Sequence, residues 1–259
     1  MLSAAAARAP WRRAVAGARW LRETVGFYLL YATFAIGCFL PGLVCFLLYL
    51  VLPCRLGGPI GRGLIAGWFR LYLALLRGAG LLEDDLSALD GLRCERGLVV
   101  VANHPSLLDV VLLLSRLPPT VCIAKPAIWN NPLLGGGARL AGYLPNDSPL
   151  RLVRRARAAL GAGRCLLIFP EGTRTRRIAV NGFKPGFALI ARQARAPVQT
   201  VFIEAGTPFL GKSWPLLRRP PLPLRFRVRL GRRFMVSEDP AGFTARIERY
   251  FRDEMSAPR

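Results

Sequence analysis

The chain has 259 residues, enough for one domain of moderate size with a real core, and it carries 37 basic against 15 acidic residues for a formal charge of +22. With 53% hydrophobic residues beside that charge, an anionic membrane surface is the expected partner and nucleic acid is not. Six cysteines without a Cys-x-x-Cys, and a single histidine, argue against a metal site, and the cysteines read as reduced thiols.

Residues 1–25 read as a basic arm bearing Arg8, Arg12, Arg13, Arg19 and Arg22, and residues 26–52 then run without a charge. As one straight helix that run extends roughly 40 Å at about 1.5 Å per residue, more than a hydrocarbon core of about 30 Å. Pro41-Gly42 near its middle leaves two readings: a single tilted, kinked span, or a re-entrant hairpin. Arginines flank both ends, with Arg55 and Arg62 beyond the far one. By the positive-inside rule this places both ends in the cytoplasm and favours the hairpin. The run is too long for a signal peptide. Residues 60–79 predict an amphipathic helix lying in the interface, with Ile60, Leu64, Ile65, Trp68, Leu71, Tyr72, Leu75 and Leu76 at helical spacing and Arg62, Arg70 and Arg77 opposite. An ordinary core-packing helix is the alternative. The organisation expected is thus an arm over 1–25, membrane-associated helices over 26–80 and a folded domain over 81–259.

Beyond residue 85 strands and helices alternate. The predicted strands are 91–95, 98–103, 120–124, 165–169, 198–204 and 224–230. The predicted helices are 106–115, 149–161, 184–194 and 240–254, and the Pro-rich stretch 215–223 is a surface loop. This alternation argues for an α/β layered domain.

The candidate chemistry begins at the only histidine. His104 follows the apolar run Leu98–Ala102, and Asp109 stands five residues on. This is a candidate base with an orienting carboxylate, since imidazole suits proton transfer near neutral pH. Ser106 with Asp109 also reads as a capping box opening a helix, which accounts for Asp109 without chemistry. A second segment, Phe169-Pro170-Glu171-Gly172-Thr173-Arg174, runs from a strand into a turn, where α/β folds place ligands. Gly172 permits close backbone approach, and Arg174 offers a fork for phosphate. A charged turn with a local Glu–Arg pair is the plain alternative. A third segment holds Lys184 just before a predicted helix, a place that makes more sense if an anion docks there too, although a solvated lysine fits equally.

Taken together these segments resemble the 1-acylglycerol-3-phosphate acyltransferase family, the lysophospholipid and glycerolipid acyltransferases. His104 and Asp109 match the family's His-x4-Asp motif, residues 169–174 match Phe-Pro-Glu-Gly-Thr-Arg without a change, and Ala196-Pro197-Val198, Lys184 and Gly186 match later positions. The resemblance implies a mixed β-sheet flanked by helices behind N-terminal membrane-associated helices. It implies acyl transfer from acyl-CoA or acyl carrier protein to the hydroxyl of a membrane lipid acceptor, without a cofactor and without a metal. His104 and Asp109 would be catalytic. Glu171, Gly172, Thr173, Arg174 and Lys184 would bind substrate, with backbone amides near Gly172 stabilising the oxyanion. The implied site of action is the cytoplasmic membrane (the inner membrane in a Gram-negative cell), with the folded domain facing the cytoplasm. One departure stands out. Gly142–Asp147 occupies the place of the family's second motif but lacks its arginine, which leaves the acceptor open between lysophosphatidate and another hydroxylated lipid. A membrane lipase or thioesterase, and a non-catalytic basic membrane-binding protein, are the competing readings. The first would need a serine or cysteine nucleophile, and no Gly-x-Ser-x-Gly elbow is present.

Overall fold

A computed structural model describes residues 9–131, 134–176, 179–207, 209–215 and 217–256, with backbone alone for 9–14 and 54. Arg8 of the predicted arm lies outside the described residues, as do the side chains of Arg12 and Arg13. Two long helices lead the chain, α1 (Ala9–Val51) and α2 (Cys54–Gly78). The seven strands are β1 (Leu82–Asp85), β2 (Val99–Ala102), β3 (Thr120–Ala124), β4 (Leu144–Pro145), β5 (Cys165–Ile168), β6 (Val198–Ala205) and β7 (Leu224–Phe234). Between and after them come α3 (Leu108–Arg116), α4 (Pro126–Trp129), α5 (Gly135–Leu140), α6 (Pro149–Gly161), α7 (Gly186–Ala194) and α8 (Pro240–Ser256).

The strands form one mixed sheet in the order β1-β7-β6-β2-β5-β3-β4. The β6–β7 pair is antiparallel and every other pair is parallel. Period-two alternation divides the core. Val100, Ala102 and Leu167 join the cluster under α2 and α3, while Val99, Val101, Leu166 and Ile168 join the cluster with residues of α6, α7 and α8. The central strands are therefore apolar on both faces, as a parallel sheet covered on both sides requires.

Three expectations change here. Residues 91–95 are not a strand. A 3-10 turn spans Ser87–Leu92, with Leu89 and Leu92 both buried, and that three-residue spacing fits a turn of helix and not a pleat. Residues 9–25 of the predicted basic arm are the first turns of α1 and not a segment separate from the apolar run. Nor does the apolar run break at Pro41-Gly42. Pro41 lies inside α1, which continues to Val51, about 65 Å in all at 1.5 Å per residue. The reversal comes at Leu52-Pro53, after which α2 returns antiparallel. Phe34 packs on Phe69 and Tyr72 with ring centroids 6.5 and 4.6 Å apart, and the Trp68 indole fills the space a side chain at Gly37 would need.

The helix pair is fastened to the domain through glycines. α5 begins Gly135-Gly136-Gly137. A Cβ at Gly136 would lie 2.6 Å from the Gly42 carbonyl and 2.7 Å from the Phe46 side chain. A Cβ at Gly61 would lie 2.6 Å from the Ala141 amide nitrogen, and beside it Arg62 donates to the Ala141 carbonyl at 2.8 Å. Much of the remaining helix surface stays apolar and uncovered, including Leu29, Ile36, Leu40, Leu43, Leu47 and Leu50 on α1 and Ile60, Leu64, Leu71 and Leu75 on α2. Residues 15–51 form a helix long and apolar enough to cross a membrane.

Because the obstacle at Gly61 is backbone, α2 must move to admit a side chain. Gly61→Val is expected to cost about 1–3 kcal/mol, the usual penalty of overpacking. It should lower the melting temperature of the detergent-solubilised protein, whereas Gly63→Ala, with nothing within 4 Å of its Cβ position, should leave it nearly unchanged.

Candidate active site

The site lies at the carboxyl ends of β2 and β5, where side-by-side parallel strands release their loops together. Asn103 fixes the end of β2 to the neighbouring strand: its side-chain amide donates to the Ile203 carbonyl at 2.8 Å and its oxygen accepts the Ile203 N–H at 2.7 Å. The next residue is His104, whose ring stacks on Phe169 at the end of β5 (centroids 4.1 Å, interplanar angle 20°). Two adjacent strands thus set both the position and the plane of the imidazole.

His104 Nδ1 is 2.8 Å from Asp109 Oδ2, with the histidine side chain 13% exposed and the aspartate fully buried. The same oxygen accepts the Ser106 N–H at 2.8 Å. With the carboxylate ionised, Nδ1 carries the hydrogen and Nε2 keeps its lone pair. The predicted helix start shifts by two residues: α3 begins at Leu108. Ser106 Oγ accepts the Leu108 N–H and donates to the Phe209 carbonyl at 2.7 Å. That hydroxyl is buried and committed on both sides, which removes the nearest serine as a nucleophile and weakens the lipase reading.

Asp109 sits in an unfavourable place for a charge. Its Oδ1 is buried without a partner among the described residues. Burial pushes its pKa up to about 6, opposed by the hydrogen bond from His104.

The Phe169–Arg174 turn holds this arrangement. Glu171 is buried, and its carboxylate accepts from the His104 backbone N–H (3.0 Å), the Thr175 hydroxyl (2.7 Å) and the Asn181 N–H (2.8 Å). Thr175 N–H donates in turn to the His104 carbonyl at 2.7 Å. The glutamate expected at the substrate head group is therefore turned inward, clamping the histidine's own backbone. Arg174 Nη1 donates to the carbonyls of Leu210 and Gly211 at 2.7 and 2.8 Å, drawing a loop across the site. Leu210 adopts a left-handed backbone there (φ 52°). Gly172 has φ +66°, and its N–H is spent on the Phe169 carbonyl, so that amide is not free for an oxyanion. A Cβ at Gly172 would meet the Lys184 side chain at 3.1 Å, so the bare glycine is what lets Lys184 lie over the turn. Thr173 is half-buried in the same turn.

Two further residues were invisible as site residues in the sequence. Lys125 follows β3, and Lys212 lies in the loop that Arg174 holds. Partial burial lowers the Lys125 pKa, as do the neighbouring charges of Lys212, Arg174 and Lys184. All three lysines of an arginine-rich chain thus converge beside one arginine at the strand ends that carry His104. The available signal was compositional: lysine is rare here, and its three positions fall in the segments that follow β3, β5 and β6.

The central part of this chain is similar to known proteins. The Acyltransferase family profile matches residues 85–204. A 1-acyl-sn-glycerol-3-phosphate acyltransferase of Cocos nucifera is 36% identical over 107 residues, 39% of this chain and 35% of that protein. A lyso-ornithine lipid O-acyltransferase of Pseudomonas aeruginosa is 36% identical over 124 residues, 43% of this chain and 47% of that one. The aligned stretch thus spans between about a third and a half of these relatives. The crystal structure of PlsC, the 1-acyl-sn-glycerophosphate acyltransferase of Thermotoga maritima, superimposes with a TM-score of 0.68 at 21% identity, over 92% of this chain and 95% of that chain, so the fold is shared across the helix pair as well as the sheet.

The buried carboxylate makes a prediction about pH. A folded pKa above the ordinary 3.8 means that Asp109 favours the fold most when protonated. Its contribution is complete below about pH 4 and is lost as pH rises through about 6, a loss of about 3 kcal/mol at 1.36 kcal/mol per unit. Asp109→Asn removes the titration. Denaturation at pH 4.5 and pH 8 should therefore show a smaller pH-dependent loss of stability in the variant than in the wild type. Residues 85–204, which match the Acyltransferase family profile, are the part of the chain that carries the His-x4-Asp and Phe-Pro-Glu-Gly-Thr-Arg motifs and their paired strand ends.

Proposed function

We propose that this protein transfers a fatty acyl group from a thioester, acyl-CoA or acyl carrier protein, to the hydroxyl of a lysophospholipid, with lysophosphatidate as the favoured acceptor. The observation that carries this reading is the His104–Asp109 pair at 2.8 Å, opening beside three lysines and an arginine. The acceptor hydroxyl donates to Nε2. As its oxygen attacks the thioester carbonyl, the proton passes to the imidazole, and Asp109 stabilises the resulting cation. Collapse of the tetrahedral intermediate expels the thiolate, which takes the proton back from Nε2. No acyl-enzyme forms, because the acceptor is itself the nucleophile. No cofactor or metal enters this scheme.

Glu171 acts by positioning, through the backbone of His104. Lys125, Lys184, Lys212 and Arg174 form the anion site for the acceptor phosphate. Lys125 and Lys212 stand in for the arginine that the segment Gly142–Asp147 lacks. That segment here forms β4, and its Asp147 lies 3.4 Å from Arg155 on α6. A lysolipid without a phosphomonoester is the alternative acceptor, favoured by the resemblance to a lyso-ornithine lipid enzyme. In this reading the enzyme sits on the cytoplasmic membrane with its strand-end site towards the cytoplasm, so that acceptor and product remain in the bilayer; the uncovered apolar faces of α1 and α2 support the membrane association. A purely basic binding protein would have no use for a buried carboxylate held against the sole histidine.

Membranes carrying the protein, supplied with labelled acyl-CoA or acyl carrier protein and a panel of lysolipids, should yield acylated lipid identified by mass and not free fatty acid. His104→Ala should lose at least about a thousand-fold in rate while remaining folded and membrane-bound, since general-base assistance and its positioning are both removed. Equal activity in that variant, or fatty acid as the product, sinks the reading. Lys125→Ala and Lys212→Ala should each raise KM for lysophosphatidate roughly ten-fold, as expected for loss of a charge-assisted hydrogen bond. Neither should alter KM for the donor or for lyso-ornithine lipid. Glu171→Gln places an amide donor against backbone N–H groups, and its kcat should fall roughly ten- to a hundred-fold with little change in acceptor KM.

A further inference from the structure

α3 has functional groups at both ends. Its amino end carries Asp109, and its carboxyl end carries Arg116, about 10 Å away at 1.5 Å per residue. At that far end, on the opposite edge of the sheet from His104, a cavity of about 570 Å³ opens between α2 and α3. Its lining includes four guanidinium groups, those of Arg70, Arg77, Arg93 and Arg116, together with Ser115 and Leu117. Two carboxylates balance part of this charge. Asp84 takes a forked pair of hydrogen bonds from Arg77, both at 2.6 Å. Asp90 is shared by Arg116 at 2.6 Å and Arg93 at 3.1 Å. The sum is two positive charges in excess. The guanidinium of Arg70 is exposed and has no carboxylate partner among the described residues.

The cavity adjoins the uncovered side of α2. Around that helix Arg70 and Arg77 fall on one line, three and four residues from Leu73 and Ala74. Next to them runs a strip of small residues, Gly63, Ala66, Gly67 and Ala74, and beyond it the exposed apolar stripe Ile60, Leu64, Leu71 and Leu75. Nothing lies within 4 Å of the Cβ positions of Gly63 and Gly67, so the strip is open from the cavity to the stripe. A ligand that fits this surface has a compact anion at one end, matched by guanidinium forks, and a hydrocarbon chain at the other.

We propose that the Arg70–Arg116 cavity holds the phosphate of an anionic membrane phospholipid whose acyl chains lie along the outer face of α2, at a site separate from the catalytic one. Arg70 is the arginine most available for the phosphate, having no carboxylate of its own among the described residues, while Arg116 and Arg93 divide the single charge of Asp90 between them. Leu117, lining the cavity, gives the glycerol region an apolar wall.

The test is native mass spectrometry of the full-length protein in detergent, titrated with dioleoyl-phosphatidylglycerol or dioleoyl-phosphatidylcholine. The wild type should retain one phosphatidylglycerol at a concentration well below that needed for phosphatidylcholine. Arg70→Gln/Arg116→Gln should weaken that retention roughly thirty-fold, from about 1 kcal/mol per arginine near a lipid surface. Arg154→Gln/Arg157→Gln on α6 removes the same charge elsewhere and should leave it unchanged. Arg70→Gln alone, which breaks no ion pair, should weaken it in part and guards against misfolding of the double variant. Unchanged retention in both cavity variants, or equal loss in the α6 variant, overturns the proposal. So does displacement of the lipid by millimolar inorganic phosphate alone, which would make the cavity a site for free anions.

Discussion

Burying one carboxylate imposes most of the geometry at the strand ends. Asp109 is fully buried, and among the described residues only one of its two oxygens is hydrogen-bonded, so its charge depends on the His104 Nδ1–H and the Ser106 N–H. A histidine free to rotate would leave that charge uncompensated in an apolar layer. The fold prevents this by fixing the ring plane against Phe169 and the histidine backbone against Glu171. The placement is locally unfavourable and is held by surrounding structure, a common condition of sites where a group must be ready for proton transfer.

The loop at 207–214 shows the same economy on a larger scale. Its carbonyls at Phe209, Leu210 and Gly211 are drawn in by Ser106 and Arg174, and the Leu107 N–H donates to Leu210 as well. A leucine held in a left-handed conformation costs of order 1–2 kcal/mol, and these bonds hold it there. The loop's other side faces α1. Phe209 meets Phe27 edge-on at 5.6 Å, Tyr28 donates to the Leu217 carbonyl, and Arg219 pairs with Glu23. The apolar helix, the loop bearing Lys212 and the turn bearing Arg174 therefore form one connected body. The link between α1 and the cations around the site is thus made of short, directional contacts.

The parts of this structure that periodicity encodes were legible in the sequence: β3, β5, β6, α6 and α8 stand close to where spacing put them, and the two chemical motifs meet because they follow adjacent parallel strands. What spacing missed has physical reasons. β1 is Leu-Glu-Asp-Asp, which reads as a solvated turn until its partner is known. Glu83 and Asp85 stand opposite Arg225 and Arg227, so its strand character resides in cross-strand charge pairs. α5 opens with three glycines, a poor helix signal by propensity, and is retained because only glycine lets α1 approach so closely. Pro41 reads as a break by propensity, yet in an apolar helix packed against a neighbour one missing N–H is tolerated. The inward turn of Glu171 was illegible for another reason. A charged residue in a motif reads equally well as a ligand for substrate or as a clamp for backbone, and only the three N–H and O–H groups around it decide between them.

The same distinction bears on how a family motif should be interpreted in a chain that departs from its family. If each motif residue touched substrate, losing the second-motif arginine would remove one contact and leave the rest unchanged. Here two of the motif's charged residues serve the scaffold: Glu171 holds the histidine, and Arg174 holds the loop that carries Lys212. A position that sets a loop controls which other charges reach the site, so a cation missing from one strand end can be replaced from another without altering either motif. Lysine suits that replacement. It is a compact charge on a flexible stem, able to reach a phosphate from the ends of loops where the rigid guanidinium fork would need its backbone placed more closely. In a chain that uses arginine almost everywhere else, the proposed anion site thus puts its three lysines where reach matters more than geometry.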